Sequence, residues 1–372
     1  MKPARDVAVA VSGGVDSLYA LAVLAERDEA LVAVHGRFHD AGPKAEAETE
    51  AEIGALAAAC ARLGVPFELL DLRAEFERLV VAPFVAAWRR GETPNPCSLC
   101  NPAMKFGLLF DRAAALGAVR LATGHYARLE PDAEGLGRLR RGADPAKDQS
   151  YFLALVPVER LARAVFPLGE RRKAEVPGLL AERGLAAPVR PESQEICFVP
   201  DADYQGFLEA RGAVLPGPGA VVRADGRVVG EHQGLWRYTE GQRRGLGGGH
   251  MEPMYVLGKD LPGNRLVVGP RPELDVAGFP AGRLNALIPL RRWPGTVLVQ
   301  TRYRQGPAPA RVERRGGGLV VRFETPQERP APGQAAVFYE PDGRVLGGAL
   351  VEAGPVEAAE TGAPEGPGEA VS

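Results

Sequence analysis

Cysteines are the residues of this sequence best suited to covalent chemistry, and the spacing of three of the four indicates a shared role. Cys97 and Cys100 are separated by two residues, and Cys197 lies farther along the chain. Four cysteines are too few for a disulfide framework in a chain of 372 residues. The close spacing therefore indicates metal binding or thiol chemistry. Cys60, among apolar residues at helical spacing, is expected to be a buried packing thiol.

A second chemical feature is the loop from Ser12 to Ser17, whose sequence is Ser-Gly-Gly-Val-Asp-Ser. It follows the apolar run Val7–Val11 and precedes the helical pattern Leu18–Ala25. A glycine-rich turn before a helix offers backbone N–H groups and the positive end of the helix dipole to an anion. The loop lacks the Gly-Lys-Ser/Thr ending of a P-loop. We predict a phosphate-binding loop of another type, and the alternative is a Ser/Gly-rich turn with no ligand.

Short apolar strands alternate with helices in the first part of the chain. Further strands are expected at Leu31–Val34, Phe67–Leu70 and Val119–Thr123, with a long helix over Lys44–Leu63. Strands separated by helices of this length imply right-handed crossovers. The sequence therefore predicts an α/β fold that begins with an open parallel sheet covered by helices on both faces.

The pattern changes beyond about residue 205, where short β-rich segments are separated by Gly and Pro. This pattern is typical of small mainly-β domains, such as antiparallel barrels or sandwiches. We predict a nucleotide-binding catalytic domain at 1–208, a central β-rich domain at 209–276, a C-terminal β-barrel at 277–353 and a disordered acidic tail at 354–372.

The charge is unevenly distributed, although the net value of −2 is unlike that of a general nucleic-acid coat protein. Nine arginines and a single acid, Glu313, lie between Arg283 and Arg322. This stretch predicts a surface that meets phosphates, and a plain solvated surface is the alternative. The sequence has no secretory signal pattern and no apolar run near the roughly 18 residues of a membrane span. We expect a cytoplasmic protein without a membrane contact.

Eight segments, taken together and in this order, resemble the bacterial tRNA-specific 2-thiouridylases, and the loop at residues 12–17 resembles the pyrophosphate loop of the ATP pyrophosphatases. The segments are Thr93-Pro-Asn-Pro to Asn101 with Lys105-Phe-Gly107, Ala122-Thr-Gly-His-Tyr126, Lys147-Asp-Gln-Ser-Tyr-Phe152, Phe166-Pro-Leu-Gly169, Ser193-Gln-Glu-Ile-Cys-Phe198, Gly230-Glu-His-Gln-Gly234, Thr301-Arg-Tyr-Arg-Gln305 and Pro332-Gly-Gln-Ala-Ala-Val-Phe-Tyr339.

The resemblance implies a tRNA-uridine 2-sulfurtransferase, a transferase of sulfur-containing groups with a fold like the adenine nucleotide alpha hydrolases. Such an enzyme uses ATP to adenylate the C2 oxygen of the wobble uridine in tRNAs for lysine, glutamate and glutamine, and then replaces that oxygen with sulfur. By the same resemblance Cys197 carries the sulfur as a persulfide. Cys100 attacks the persulfide, releases sulfide and leaves a disulfide with Cys197. Both residues would need to be accessible thiolates near the nucleotide site.

The resemblance also assigns the remaining site residues, with Asp16 helping to hold magnesium. The residues implied for ATP binding are Ala10, Val11, Ser12, Gly13, Gly14, Val15, Asp16, Ser17, Gly36 and Gly124. Asn95, Pro96 and Cys97 would face the target base. Those implied for tRNA binding are His125, Lys147, Asp148, Gln149, Arg302, Tyr303 and Gln334. A monomer supplied with sulfur by a cysteine desulfurase or a sulfur-relay protein is the expected assembly.

Two positions depart from the family pattern. Gly36 stands where the family often has a methionine whose backbone meets adenine, so adenine contacts there are in question. Cys97 stands where many members have aspartate. With Cys100 and Cys197 it provides three thiolates, the number that related thiolases use to hold a four-iron four-sulfur cluster with one open iron. The alternative is that Cys97 is a small polar residue near the target base.

Two other classes of function remain open on the sequence. One is a ligase that adenylates a small molecule, such as an argininosuccinate or GMP synthetase. Neither reaction needs a thiol in the synthetase domain, so Cys100 and Cys197 argue against it. The other is an RNA-binding or sulfur-carrying paralogue that has lost turnover, which the intact loop at residues 12–17 argues against.

Overall fold

The computed structural model describes residues 5–27, 29–39, 46–131, 137–186, 196–212, 215–246 and 252–354. Residues 355–372 of the expected acidic tail and residues 193–195 of the motif before Cys197 lie outside this part of the chain. None of the described helices is long and apolar enough to cross a membrane.

The strands are numbered in chain order. They are β1 Arg5–Ala10, β2 Leu31–Arg37, β3 Phe67–Asp71, β4 Ala118–Ala122, β5 Ala127–Pro131, β6 Gly137–Arg141, β7 Ala164–Val165, β8 Gly219–Arg223, β9 Val228–His232, β10 Tyr255–Asp260, β11 Arg265–Gly269, β12 Asp275–Ala286, β13 Val297–Gln300, β14 Ala308–Arg315, β15 Gly318–Glu328, β16 Ala335–Tyr339 and β17 Val345–Val351.

Most of the helices are short. The two longest lie on the first sheet, and two others continue into a π-helical segment. They are α1 Val15–Ala25, α2 Glu46–Arg62, α3 Arg73–Phe76, α4 Ala82–Arg89, α5 Pro96–Cys100, α6 Phe110–Ala115, α7 Ser150–Leu153, α8 Val158–Leu161, α9 Val176–Glu182 and α10 Tyr204–Ala210. Two π-helical segments, Glu77–Val81 and Asn101–Leu109, join α3 to α4 and α5 to α6.

The first sheet has the order β3-β2-β1-β4-β7, and every neighbouring pair in it is parallel. The chain leaves β1 for β2 on one side, and β4 pairs with β1 on the other side. Loops that follow two such strands diverge and open a crevice at the carboxyl edge of the sheet. The predicted parallel sheet with helices is confirmed, and Ala8 and Val9 of β1 are fully buried beneath the helices.

The second half of the chain forms two small β units. β12, β15, β14, β13, β16 and β17 close into a barrel in that order. The other unit is a four-stranded sheet of order β10-β11-β8-β9, in which β8 and β11 are parallel. The sequence predicted mainly-β units, which is confirmed. The parallel pair was not expected, and it arises because the long connection from β9 to β10 brings the second hairpin back beside β8 in the same direction.

The barrel is attached to the first domain through a buried carboxylate at the start of α7. Asp148 Oδ2 accepts from Arg141 Nη1 at 2.8 Å, and Asp148 Oδ1 accepts from the backbone N–H groups of Gly142 and Ser150 at 3.0 Å each. The same Arg141 donates to Gln300 of the barrel at 2.8 Å and lies 3.8 Å over the ring of Tyr339. Asp148 therefore joins the end of β6 and the start of α7 to an arginine that contacts the barrel.

The neighbouring Tyr151 extends this attachment. It is 1% exposed, and its hydroxyl donates to the carbonyl of Ala335 in β16 at 2.9 Å. From the barrel side, Asn285 Nδ2 donates to the carbonyls of Ala154 and Val156 at 2.8 and 2.9 Å. The first domain and the barrel therefore share one buried, hydrogen-bonded interface.

We predict that Asp148→Asn destabilises the protein by roughly 3 kcal/mol, because it removes the buried carboxylate that pairs with the partly exposed Arg141. The side chain of Asp148 is 5% exposed. The measurement is the midpoint of urea-induced unfolding. Asp111→Asn is the matched control, since its ion pair with Arg160 lies at the surface and should contribute at most about 1 kcal/mol. Equal shifts in the two variants would contradict the structural role of Asp148.

Candidate active site

The loop between β1 and α1 is held open by its own serine and glycine residues. Gly13 has φ of 81°, a left-handed conformation that glycine adopts without strain. Ser17 Oγ accepts from the backbone N–H of Ser12 at 3.0 Å and donates to the carbonyl of Gly14 at 3.0 Å. The first residue of the helix follows Gly14, which provides no side-chain cap. A loop of this geometry at the start of a helix suits an anion, and phosphate binding by residues 12–17 stays a prediction.

The remaining residues predicted for ATP surround this loop at the sheet edge. The N–H of Val11 donates to the carbonyl of Val34 at 2.9 Å, so the end of β1 stays paired with β2. Gly36 lies further along β2, where an added Cβ would be 2.7 Å from the ring of Phe38. The Phe38 ring occupies the space that a methionine side chain would need, which explains glycine at this position. The adenine contact at Gly36 stays a prediction.

Asp16, in the first turn of α1, already has two polar partners. Tyr126 Oη donates to Asp16 Oδ1 at 2.7 Å, and Lys173 Nζ donates to Asp16 Oδ2 at 2.5 Å. Both partners come from later parts of the chain, so Asp16 is the point at which three segments meet. Magnesium is commonly held by one or two carboxylates together with substrate phosphates. Asp16 beside an anion-binding loop fits that description, and the ammonium of Lys173 shows that this position accommodates a cation.

The segment that follows β4 lies against the loop. A Cβ added to Gly124 would be 2.9 Å from the backbone nitrogen of Ser17 and 3.0 Å from the carbonyl carbon of Asp16. Only glycine permits this approach of two backbones without displacement. The next residue, His125, points to the opposite side of the segment and is 8% exposed. Residues 123–126 therefore lie between the loop at residues 12–17 on one side and the surroundings of His125 on the other.

Beyond His125 lies the helix that carries the first two predicted thiols. Asn95 caps it, because Asn95 Oδ1 accepts from the backbone N–H of Ser98 at 3.3 Å, and Pro96 occupies the first helical position. Asn101 Nδ2 donates to the carbonyls of Cys97 and Phe152 at 3.1 Å each. These bonds fix the orientation of α5 against α7.

The helix widens into a π-helix directly after Cys100. A π-helix closes hydrogen bonds between residues five apart and therefore places such residues on one face. Gly107 makes the wide turn possible, since a Cβ there would lie 2.6 Å from the carbonyl oxygen of Pro102, five residues earlier. By the same spacing Lys105 shares a face with Cys100.

The three thiols are coupled to one another and to Lys105. All four cysteines in the sequence are free; Cys97 and Cys197 are exposed and Cys100 is partly exposed. Burial nevertheless raises the pKa of each, that of Cys197 to about 11, and the charge of Lys105 lowers each pKa. Thiols that solvent can reach but that many protein atoms surround are typical of the floor of a crevice. Cys60 is fully buried on α2, so the prediction of a packing thiol is confirmed.

Lys105 is a candidate functional residue to which we assigned no role from the sequence. Its Nζ lies 3.5 Å from His125 Nε2, and Thr123 Oγ1 lies 2.8 Å from His125 Nδ1. Burial lowers the pKa of His125 well below its ordinary value, and the charge of Lys105 lowers it further. The imidazole is therefore neutral. Because an ammonium only donates, Nε2 accepts from Lys105 and Nδ1 carries the proton toward Thr123. The π-helix that relates Lys105 to Cys100 is a feature of the structure, and the sequence signal for Lys105 is its place in the matching segment Lys105-Phe-Gly107.

The predicted tRNA-binding residues near α7 are buried, partly buried or hydrogen-bonded within the protein. Asp148 makes the buried contacts described above. Gln149 Oε1 accepts from the backbone N–H of Tyr126 at 3.0 Å, which ties α7 to the segment after β4. Lys147 lies at the start of the same turn and is partly exposed. Direct tRNA contacts by His125, Lys147, Asp148 and Gln149 stay predictions.

The predicted tRNA-binding residues of the barrel also make contacts within the protein. Gln334 Nε2 donates to the carbonyl of Thr93 at 2.7 Å. Arg302 pairs with Glu328 at 2.5 Å and donates to the carbonyl of Glu240 at 2.9 Å. The ring of Tyr303 lies 4.5 Å from that of Phe152. These residues therefore lie where the barrel meets the other units, and Thr93, the partner of Gln334, is two residues before the predicted target-base residue Asn95. Their contacts with tRNA stay predictions.

Three family models match consecutive parts of the chain. The tRNA methyl transferase HUP domain matches residues 5–201, the tRNA methyl transferase PRC-barrel domain matches 205–270, and the aminomethyltransferase beta-barrel domain matches 278–351. The three matches together run through nearly all of the described chain.

Curated relatives match over almost their whole length. The chain is 50% identical over 350 residues to the tRNA-specific 2-thiouridylase MnmA of Nitratidesulfovibrio vulgaris strain Miyazaki F. The alignment covers 94% of this chain and 99% of the relative. The chain is 46% identical over 354 residues to the protein of the same name from Lawsonia intracellularis, with 93% and 99% covered. Among solved structures, the U34-tRNA thiolase NcsA from Methanococcus maripaludis with its four-iron four-sulfur cluster is 19% identical at a TM-score of 0.34, covering 56% of this chain and 65% of that one.

We predict that Lys105→Met slows alkylation of Cys100 by iodoacetamide about threefold to tenfold at a given pH. Lys105 lowers the pKa of this thiol, so its removal raises the pKa and reduces the thiolate fraction, and only the thiolate reacts. The measurement is the rate of alkylation at each cysteine, resolved by mass spectrometry between pH 7 and pH 9. Lys105→Arg, which keeps the charge, should react nearly as the wild type does. An unchanged rate at Cys100 in Lys105→Met would contradict the assignment.

Proposed function

Since the chain belongs to the family of the tRNA-specific 2-thiouridylases, we propose that it uses ATP to convert the wobble uridine of tRNA to 2-thiouridine. The observation that carries this proposal is the position of residues 123–126. Gly124 contacts the backbone of the anion-binding loop, and His125 contacts Lys105 beside the thiols. These contacts support the proposal that nucleotide chemistry and thiol chemistry share one crevice, as a reaction that couples them requires.

The first step activates the base. The C2 oxygen of uridine attacks the α-phosphorus of ATP, the bond between the α- and β-phosphates breaks, and pyrophosphate leaves. The loop at residues 12–17 binds the phosphates through backbone N–H groups and the helix terminus. Magnesium, held by Asp16, would neutralise charge on the phosphates. Asn95, Pro96 and Cys97 are proposed to face the base, at the start of the helix that carries Cys100.

The second step delivers sulfur. Cys197 carries a persulfide, which a cysteine desulfurase or a sulfur-relay protein supplies. The thiolate of Cys100 attacks the Cys197 sulfur and releases hydrosulfide, so a Cys100–Cys197 disulfide forms. Hydrosulfide adds to C2 of the adenylated uracil, AMP departs with the former C2 oxygen, and the proton of the hydrosulfide is lost. A thiol reductant then supplies two electrons to reduce the disulfide.

The resting thiols are held in the protonated form, since burial raises their pKa values. Lys105 opposes this effect at all three positions. We propose that Lys105 provides the positive charge that stabilises the Cys100 thiolate when sulfur is transferred, and that neutral His125 positions the ammonium. A persulfide is more acidic than a thiol, so the loaded Cys197 would ionise more readily in the same surroundings.

We propose that the barrel at 277–353 binds the tRNA, while 1–208 catalyses and 209–276 connects the two. The barrel exposes seven arginines of the basic stretch, namely Arg283, Arg291, Arg292, Arg304, Arg311, Arg314 and Arg315. Arginines on one small unit suit a phosphate backbone. Gln334 is then proposed to transmit tRNA binding to the catalytic domain through Thr93, and Arg302 to the central unit through Glu240.

We predict that Cys100→Ser and Cys197→Ser each abolish formation of 2-thiouridine but still release pyrophosphate when given unmodified tRNA and ATP. Adenylation depends on the loop, whereas sulfur transfer depends on the thiols. Nucleoside analysis and a pyrophosphate assay with a desulfurase as donor measure the two steps separately. Asp16→Ala should lose both signals, and Cys60→Ser should keep both. Normal pyrophosphate release by Asp16→Ala would refute the assignment of the loop.

A four-iron four-sulfur cluster is an alternative sulfur route that the third cysteine supports. No group of three His, Cys, Asp or Glu side chains among the described residues is arranged to hold a single metal ion. Cys97, Cys100 and Cys197 are nevertheless the correct ligand type and number for a cluster with one open iron. Such a cluster would provide an iron that binds sulfide beside the activated base.

We predict, for this alternative, that protein purified without oxygen is brown and contains about four irons per chain. Cys97→Ala should lose the iron and the colour, because two thiolates do not hold the cluster, and Cys60→Ala should keep both. Iron analysis and the visible absorption spectrum are the measurements. A colourless, iron-free preparation that thiolates tRNA fully would show that Cys100 and Cys197 act as a plain thiol pair.

A further inference from the structure

Asp16 is the residue on which magnesium binding is proposed to depend, and both of its carboxylate oxygens accept hydrogen bonds from other side chains. One accepts from the Tyr126 hydroxyl and the other from the Lys173 ammonium, at 2.7 and 2.5 Å. The side chains of Lys173 and Asp16 are 20% and 23% exposed, so the ion pair is partly shielded from water. A cation therefore already occupies the position beside Asp16.

Lys173 is held at this position by its backbone and not by its side chain alone. Its N–H donates to Asp144 Oδ2 at 2.9 Å, in the turn just before α9. The ammonium also lies 5.9 Å from the centroid of the Tyr126 ring. With the backbone fixed, the flexible four-carbon side chain can turn between the carboxylate and the neighbouring anion-binding loop.

We propose that Lys173 is a phosphate-binding residue of the nucleotide site, and that in the free enzyme it occupies the magnesium position at Asp16. Binding of magnesium and ATP displaces the ammonium from Asp16 and transfers it to the phosphates. This inference rests on the proposed use of ATP, and it adds a residue that approaches the phosphates from outside the loop at residues 12–17.

Electrostatics gives the reason for such an exchange. Magnesium requires the Asp16 carboxylate, so its arrival places a second cation beside Lys173 and makes the original position unfavourable for the ammonium. Binding of ATP with the magnesium also brings several phosphate charges to the loop, within reach of the Lys173 side chain. Lysine binds phosphate as a mobile point charge. The pair thus keeps Asp16 neutralised when the site is empty and strengthens phosphate binding when it is full.

The exchange makes two predictions of opposite sign for one variant. Lys173→Met removes the competitor for Asp16, so Mn²⁺, used as a spectroscopic probe in place of magnesium, should bind several-fold more tightly without nucleotide. The same variant loses a phosphate contact, so ATP with magnesium should bind about tenfold more weakly, the effect of one charge-assisted hydrogen bond. A residue with a merely structural role would not tighten one ligand while weakening the other.

The test measures Mn²⁺ binding by electron paramagnetic resonance and ATP binding by calorimetry in the full-length protein. Arg172→Met is the matched control, because Arg172 is exposed in the same turn and carries the same charge. It should change neither affinity appreciably. Asp16→Asn should weaken both ligands, and Lys173→Arg should retain most of the ATP affinity. Lys173→Gln serves the same purpose if the methionine variant folds poorly.

The outcomes separate this inference from the proposed function. Unchanged ATP affinity in Lys173→Met, in a preparation whose wild type binds ATP and thiolates tRNA, would overturn the phosphate role alone. Unchanged or weaker Mn²⁺ binding in that variant would overturn the exchange at Asp16. A wild-type protein that neither binds ATP nor releases pyrophosphate with tRNA would instead refute the proposed function.

Discussion

The backbone that follows β4 is in contact with both halves of the candidate active site, and the rest of the site depends on that contact. At Gly124 it approaches the start of α1 so closely that no Cβ fits. One residue later, His125 meets Lys105 on the helix of Cys100. The side chain of Tyr126 lies on the same side as the loop at residues 12–17, and its hydroxyl donates to Asp16. Adjacent residues of one extended segment point to alternate sides, so a short segment can position two chemically different sites.

Charge in this crevice is arranged around a few shielded groups. On the nucleotide side, Asp16 is paired with Lys173, and on the thiol side Lys105 is the cation that acts on all three cysteines. Burial keeps these thiols protonated at rest, which limits wasteful oxidation because the thiolate is the reactive form. The charge of Lys105 lowers the pKa of each thiol, and in the proposed reaction it would favour the thiolate form of the one that reacts.

The barrel is fastened to this crevice by buried polar contacts. Asp148, Arg141 and Tyr339 form one connected group, and Gln334 reaches the backbone of Thr93, two residues before the cap of the cysteine helix. Satisfied buried polar groups define a single geometry, because any other arrangement leaves a group unpaired. A tRNA bound to the barrel would therefore meet the crevice at a fixed distance.

The sequence alone determined the parallel sheet, the β-rich second half and the loop at residues 12–17. Each rests on local information, namely strand and helix periods and the conformations that glycine permits. It also indicated Cys97, Cys100 and Cys197 as candidate reactive thiols, and their chemical role stays a prediction. Tertiary structure alone decided the roles of single charged residues, since these depend on partners that are distant in sequence.

Lys173 shows this difference most clearly. Nothing in its neighbourhood of arginines and glutamates marks it, yet the fold places its ammonium 2.5 Å from Asp16, at the other end of the domain in sequence. Asp148 is a similar case, because a carboxylate in a polar motif is expected at the surface, whereas the fold buries it among donors. Periodicity predicts which face of an element is buried, but the meeting of two charges is settled only when the elements pack.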